Sequence, residues 1–191
     1  MKYKNIIFCG DTHFKESLPY LKGLNSTIKH ISKEFDGKDS LFIQSGDLLD
    51  STNLHYEKVV SGVAVLLKHS FKDTIIISGN HEESYLKGNI LHMLNLVDNI
   101  KVVFDHEIIN IDGVTIALFP YKKAGQMKPY SQIVCNTHFG LAHSAHKDST
   151  GVEFYPDSDI VDFSKCNIKT MFFGHTHKHE IMKDGSIILG V

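Results

Sequence analysis

Five short clusters of this sequence carry side chains that hold hard or borderline cations. They are Asp11-Thr12-His13, Gly46-Asp47-Leu48-Leu49-Asp50, Gly79-Asn80-His81-Glu82, Asn136-Thr137-His138 and Gly174-His175-Thr176-His177. Each follows an apolar, β-branched run. Seven side chains, Asp11, His13, Asp47, Asn80, His138, His175 and His177, offer nitrogen or oxygen donors and no sulfur. That donor set suits two divalent metals held close together. A pair of metals binds phosphoryl oxygens and lowers the pKa of a shared water, so phosphate-ester hydrolysis is the chemistry to expect.

The spacing supports this. Asp11 and His13 are two apart, as are His175 and His177, and in an extended strand exit such residues point the same way. Asp47 follows Gly46, which permits a sharp turn, and a carboxylate can bridge two cations with its two oxygens. Asn80 brings a neutral carbonyl oxygen. His138 closes the apolar run Ile133-Val134-Cys135 and stands as the strand-end histidine of its cluster.

The elements that must position these residues alternate at first. Strands are expected at Tyr3–Cys9, Ser40–Ser45 and Lys72–Ser78. Between them, Leu18–Phe35 and His55–His69 carry apolar stripes at helical spacing. A third helix is expected over Ser84–Leu96. The second half reads as strands at Lys101–Phe104, Glu107–Ile111, Val114–Phe119, Gln132–Thr137 and Lys169–Phe173. A closing hairpin, His179–Met182 with Ser186–Leu189, turns at Lys183-Asp184-Gly185. Lys122–Tyr130 reads as a loop, and Ala142–Ser164 as loop with a short helix. Parallel-type βα units followed by hairpins suggest two sheets packed as a sandwich with helices outside, an α/β protein. All five clusters fall at strand ends, where such folds place their ligands.

Composition bounds the rest. The chain has 191 residues, enough for one domain with a sizeable core. A net charge of −2 announces no global basic footprint. All 20 basic residues are Lys, so the bidentate fork that Arg gives to phosphate is absent and phosphate must be gripped by metals, His and Lys. The 3 cysteines, Cys9, Cys135 and Cys166, are scattered, and Cys9 and Cys135 sit in strand-like runs; they read as free thiols of a cytoplasmic protein. No run reaches membrane-spanning length, and the opening residues enter a strand at once rather than a signal peptide. The sequence ends inside an expected strand, which suggests a fragment of a longer protein.

Taken together, D-x-H, G-D-x-x-D, G-N-H-E, a strand-end His and G-H-x-H resemble the calcineurin-like metallophosphoesterases over nearly the whole chain. The resemblance implies a four-layer α/β/β/α sandwich. It implies one metal on Asp11, His13, Asp47 and His177, and a second on Asp47, Asn80, His138 and His175. It makes His81 the general acid that protonates the leaving oxygen, paired with Asp50. The mechanism it implies is in-line attack by a hydroxide that bridges the metals, with no covalent enzyme intermediate.

The substrate is narrowed by departures from the pattern. Protein phosphatases of the family carry an Arg directly after G-D-x-x-D; here Ser51 stands there. Asp11-Thr12-His13-Phe14, the stretch Asn110–Tyr121 and Asp184–Ile188 are similar to the SbcD/Mre-type DNA nuclease branch. That branch implies Mn²⁺ (the donor set alone also accepts Fe or Zn), DNA as substrate, an SbcC-type ATPase partner in a longer form, and a homodimer through early helices. Lys122, Lys123 and Lys128 are the candidate contacts to a nucleic-acid backbone. The competing reading is a small-molecule phosphodiesterase or phosphomonoesterase, with the loop Ala142–Asp159, including His143, His146 and Tyr155, lining its pocket. A scaffold that binds partners without catalysis would be expected to lose ligands, and no ligand is lost here.

Overall fold

The computed structural model describes residues 2–50, 56–84, 88–122, 126–156 and 160–190. Two sheets lie face to face. The first holds β1 (Asn5–Cys9), β2 (Ser40–Gln44), β3 (Asp73–Ile77) and β6 (Ile100–Val103), in that order and all parallel. Helices α1 (Leu18–Glu34) and α2 (Tyr56–Ser70) make the first two crossovers. A small hairpin, β4 (Glu83–Ser84) with β5 (Gly88–Asn89), and a 3-10 segment Ile90–Leu96 make the third.

That third crossover differs from the helix expected over Ser84–Leu96. Leu91 and Leu94 are its buried residues, and a separation of three matches the three-residue turn of a 3-10 helix. The Asn95 side chain also accepts the Val102 N–H at 2.7 Å and ties the segment to β6.

In the second sheet the order is β11 (Glu180–Ile181), β12 (Ile187–Ile188), β10 (Asn167–Phe173), β9 (Asn136–Ala142), β8 (Val114–Phe119) and β7 (Glu107–Ile111). Its four inner strands are parallel, and only the edge strands β7 and β11 run antiparallel. The hairpins legible in the sequence are thus the rims of a parallel sheet. Strand β9 also begins and ends later than Gln132–Thr137. Val134, apolar in sequence, is 79% exposed, whereas the following Gly140-Leu141-Ala142 is buried. Burial in the sheet therefore decided the strand, and the apolar run before it became a connector after the 3-10 turn Lys128–Gln132.

Three apolar layers hold the sandwich. Between the sheets, Leu41, Ile43, Ile75 and Ile77 meet Ile116, Leu118 and Leu141. On the outer face of the first sheet, Phe42 and Ile76 pack under Ile28 of α1 and Val63 and Leu67 of α2. The outer face of the second sheet, Phe119, Met171 and Phe173, is covered by Met127, Tyr130, Cys135 and Val161. Among the described residues this fourth layer consists of 3-10 turns and irregular chain rather than a long helix. No helix of the described residues is long and apolar enough to cross a membrane.

Candidate metal centre

The C-terminal ends of β1, β2 and β3 in one sheet and of β9 and β10 in the other open at the same end of the sandwich. Asp11 and His13 follow β1, and Asp47 and Asp50 follow β2. Asn80 and His81 follow β3, His143 follows β9, and His175 and His177 follow β10. Three groups of ligand atoms result, each within 4.8 Å: Asp11, His13, Asp47 and His177; Asp47, His143 and His175; and His13, Asp50 and His81. Asp47 belongs to the first two and links them. The Asn80 Oδ1 lies 2.8 Å from His143 Nε2 and 3.0 Å from His175 Nδ1, so Asn80 joins the second group.

The chain reaches these positions by sharp turns rather than by extended exits. His13, Asp47 and His175 have φ of 45°, 47° and 71°, left-handed values that non-glycine residues rarely take and that cluster at functional sites. Gly46, at φ 101°, lets the turn pass under His143, since a Cβ there would sit 2.3 Å from His143 Nδ1. Gly79 permits an equally close approach: its Cβ would meet the Asp47 nitrogen at 2.2 Å. The backbone N–H groups of Thr12 and His13 donate to the Asp47 carbonyl at 3.2 and 2.9 Å, which fastens the first loop onto the second.

Hydrogen bonds aim the ligand atoms. The Ser45 hydroxyl donates to Asp11 Oδ1 at 2.9 Å and the His175 N–H to Asp11 Oδ2 at 2.6 Å. The His81 N–H donates to Asp47 Oδ1 at 2.9 Å. His143 Nδ1 is spent on the Ser45 carbonyl at 2.8 Å, so the lone pair of the neutral ring is on Nε2, facing Asn80 Oδ1 at 2.8 Å and Asp47 Oδ1 at 3.4 Å. A backbone carbonyl that takes the other ring N–H and sets the tautomer in this way is usual for a metal-binding histidine.

Electron pairs therefore converge from several sides. His13 Nε2 and His177 Nε2 approach to 3.0 Å, and the buried His13 Nδ1 has no hydrogen bond, its nearest carboxylate being Asp50 at 3.7 Å. The arrangement calls for positive charge. Burial alone would lower His143, but the Asp47 and Asp11 carboxylates outweigh it and raise the imidazole to about 10. Burial, helped by Asp47, pushes Asp11 up to about 7. Burial also acts to raise Asp47, yet His143 and the His81 N–H hold it below the usual carboxylate range. His13, chiefly by burial, is lowered to about 4 and so stays neutral, the form that binds metal. These residues fit two divalent cations, one beside each of the first two groups.

Two expectations are corrected here. His138 is not brought to this cluster. It lies within β9 near its start, where its Nδ1 accepts from the Thr115 N–H at 3.2 Å and contacts the Thr115 hydroxyl at 2.9 Å. His143, at the true end of β9, stands where His138 was expected. The signal was present as the small and apolar run Phe139-Gly140-Leu141-Ala142 directly before it. Asp50 does meet His81, but through its backbone: His81 Nδ1 bonds the Asp50 carbonyl oxygen at 2.8 Å, while the carboxylate faces His13. The tautomer is still set, but by a neutral carbonyl rather than by a carboxylate that would favour the imidazolium.

Glu82 is the part that the sequence reading did not use. Its fully buried carboxylate accepts the Leu49 N–H and the Gly79 N–H, each at 2.8 Å, and so straps the loop after β2 to the loop after β3. Burial and nearby Asp47 raise it to about 8. Of the three candidate lysines, Lys122 pairs with Asp105, Lys123 lies outside the described residues, and Lys128 opens a 3-10 turn.

The comparisons agree with this architecture. No curated protein matches the sequence. Among solved structures, the fold is similar to the protein of unknown function AQ665 from Aquifex aeolicus. The two share 18% identity over 91% of this chain and 79% of that one, with a TM-score of 0.51. The family model of the calcineurin-like phosphoesterases matches residues 4–179, a span that takes in every loop of the site. That span includes the loops that gather carboxylates, histidines and Asn80 at one end of the two sheets, and the chain belongs to the calcineurin-like phosphoesterases, which are metal-dependent hydrolases of phosphate esters.

Proposed function

We propose that this chain is a two-metal phosphodiesterase acting on DNA, an exo- or endonuclease of the SbcD/Mre type. The observation that carries the diesterase reading is the shared Asp47 between two ligand groups, with His81 standing beside them. Asp11, His13, Asp47 and His177 would hold one metal, and Asp47, Asn80, His143 and His175 the other. When bound, the two metals supply Lewis acidity to the phosphate and an activated water at neutral pH.

The protein's own groups do the rest. Asp47 and Asp11 are fixed by donated N–H and O–H bonds, so their oxygens need no reorganisation during reaction. His81 Nδ1–H donates to the Asp50 carbonyl, so Nε2 is the nitrogen left to take up a proton and, once protonated, to give it to a leaving oxygen. Its side chain is 36% exposed, so a leaving oxygen can reach it from solvent.

Support for the nucleic-acid substrate comes from the sequence resemblance at Asp11–Phe14 and Asn110–Tyr121, and from Ser51 in place of the phosphatase Arg. Mn²⁺, an SbcC-type ATPase partner and a homodimer belong to the same proposal. A second reading, hydrolysis of a small phosphodiester or phosphomonoester, is favoured by the pairing of Lys122 with Asp105, which removes one cation from the expected DNA track.

The deciding experiment measures Mn²⁺-dependent hydrolysis of labelled linear DNA against bis-p-nitrophenyl phosphate, with His81→Ala as control. Cleavage of DNA that the variant loses is the expected result. Cleavage of the small diester alone overturns the nuclease assignment and leaves the phosphodiesterase. No hydrolysis of either overturns both.

A further inference from the structure

At the end of the second sheet remote from the metal centre, two cysteines enter neighbouring parallel strands side by side. The β9–β10 register runs from Asn136 paired with Asn167 to Ala142 paired with Phe173. Cys135 and Cys166 each stand one position before it. The pairing is continued there by the Asn167 N–H, which donates to the Cys135 carbonyl at 2.7 Å, and by the Asn167 amide on Asn136 at 3.0 Å. Neighbouring strands lie about 4.8 Å apart, inside the Cα separation of roughly 4.4–6.8 Å that a disulfide tolerates.

Both side chains turn to the same side, into the outer core of Phe119, Met171 and Phe173. The Cys166 thiol donates to the Ile133 carbonyl oxygen at 3.3 Å, and burial, with Cys166 beside it, pushes the Cys135 thiol up to about 12. Their accessibility differs. Cys135 is buried, whereas Cys166 is half-buried and lines a surface cavity of about 250 Å³ together with Lys147, Lys169 and His146. That cavity gives one thiol a route to solvent; Asp162 and Asp184 line it as well, Asp184 lying 3.3 Å from His146, so its lysines are balanced by carboxylates.

We infer that Cys135 and Cys166 form a thiol pair that a low-molecular-weight disulfide oxidises to a bond clamping the entrances of β9 and β10. The Cys166 thiolate attacks one sulfur of the oxidant, its S–S bond breaks, and one thiolate leaves with a mixed disulfide at Cys166. The Cys135 thiolate then attacks the Cys166 sulfur and expels the second small thiolate. Each expelled thiolate takes up one of the protons released by the two cysteines. The protein has lost two hydrogens, and the oxidant has been reduced to two thiols.

The bond would join the same two strands whose far ends present His143 and His175. Because the two cysteines already stand side by side at the start of paired strands, it is expected to stabilise the fold without moving those histidines. Cys9 stands apart in β1, so it serves as an internal control.

The test uses the wild-type protein equilibrated with oxidised glutathione. The thiol titre in denaturant should fall from three to one, and peptide mapping should find Cys135 joined to Cys166. Tm should rise by about 5–10 °C and return on addition of dithiothreitol. Cys135→Ser should instead trap a glutathione adduct on Cys166. An unchanged thiol titre overturns the inference, as does a persistent wild-type adduct on Cys166 that never resolves onto Cys135. Lowered stability of the linked form overturns the claim that the pair is preset for closure.

Discussion

At the scale of single residues, the centre distinguishes histidines that composition alone cannot. His138 and His143 are five positions apart and both lie near an apolar run. His143 has its Nδ1 on the Ser45 carbonyl and its Nε2 toward Asn80 and Asp47, whereas His138 is turned to Thr115. His143→Ala is therefore expected to weaken Mn²⁺ binding by at least about 100-fold, read by metal content after dialysis, with a matching loss of diester hydrolysis. His138→Ala should leave both within about twofold. The reverse ranking would show that the site had been assembled from the wrong histidine. A similar contrast separates His81 from Asp50. His81→Ala should lower kcat about 10²- to 10⁴-fold, the usual worth of a general acid. Asp50→Ala keeps the backbone carbonyl that orients His81, so its loss should be much smaller. Equal losses would mean that the Asp50 carboxylate, and not its carbonyl, governs the imidazole.

Elements matter because ligands on separate strands must be held in one frame. Two loops of the first sheet are joined by the Glu82 carboxylate, which satisfies two otherwise orphaned N–H groups in a buried setting. Leaving such donors unpaired costs about 1–3 kcal/mol each. Glu82→Ala is therefore expected to lower Tm by about 5–15 °C in a thermal melt and to weaken metal binding, since Asp47 and Asn80 lie on the two strapped loops. Glu82→Gln keeps one acceptor and should fall between the two. A melt of Glu82→Ala that superimposes on wild type would remove the strap from the account. The same sheet shows why its strands are legible: β2, buried throughout, carries Leu41-Phe42-Ile43 unbroken at its centre, as a strand covered on both faces can.

For the whole molecule, the decisive fact is that the two sheets present their carboxyl ends to a common site. Buried Asp11 and Asp47 face each other across it, and a fold that gathers acidic side chains this way is strengthened by cations bound only to the native state. Adding Mn²⁺ at 100 times its dissociation constant should stabilise the protein by about 2.7 kcal/mol per site, or raise Tm by roughly 5–10 °C for the first. EDTA should reverse the shift, and Ca²⁺, which prefers all-oxygen shells, should reproduce it poorly. A Tm indifferent to Mn²⁺ and EDTA would argue against a metal site in this cleft.

The sequence by itself determined the donor types, their order, and their position after apolar runs. Local chemistry suffices for that: hydrophobic runs mark strands, glycines mark turns, and Asp, Asn and His declare the coordination they can offer. It also determined the two helices and most strands of the first sheet, whose patterns are continuous over whole elements. Only the tertiary structure decided where β9 starts and ends, and with it which histidine reaches the centre. Burial of Leu141 between the sheets and of Ala142 in the outer core with Phe119 and Met171 selects Gly140-Leu141-Ala142 as strand, while Val134 is left at the surface. Tertiary contacts also decided that the hairpins flank a parallel sheet, that Asp50 works through its carbonyl, and that Glu82 is a strap. Each of these depends on partners more than thirty residues apart or in another strand, and no local periodicity encodes which distant loop will lie alongside.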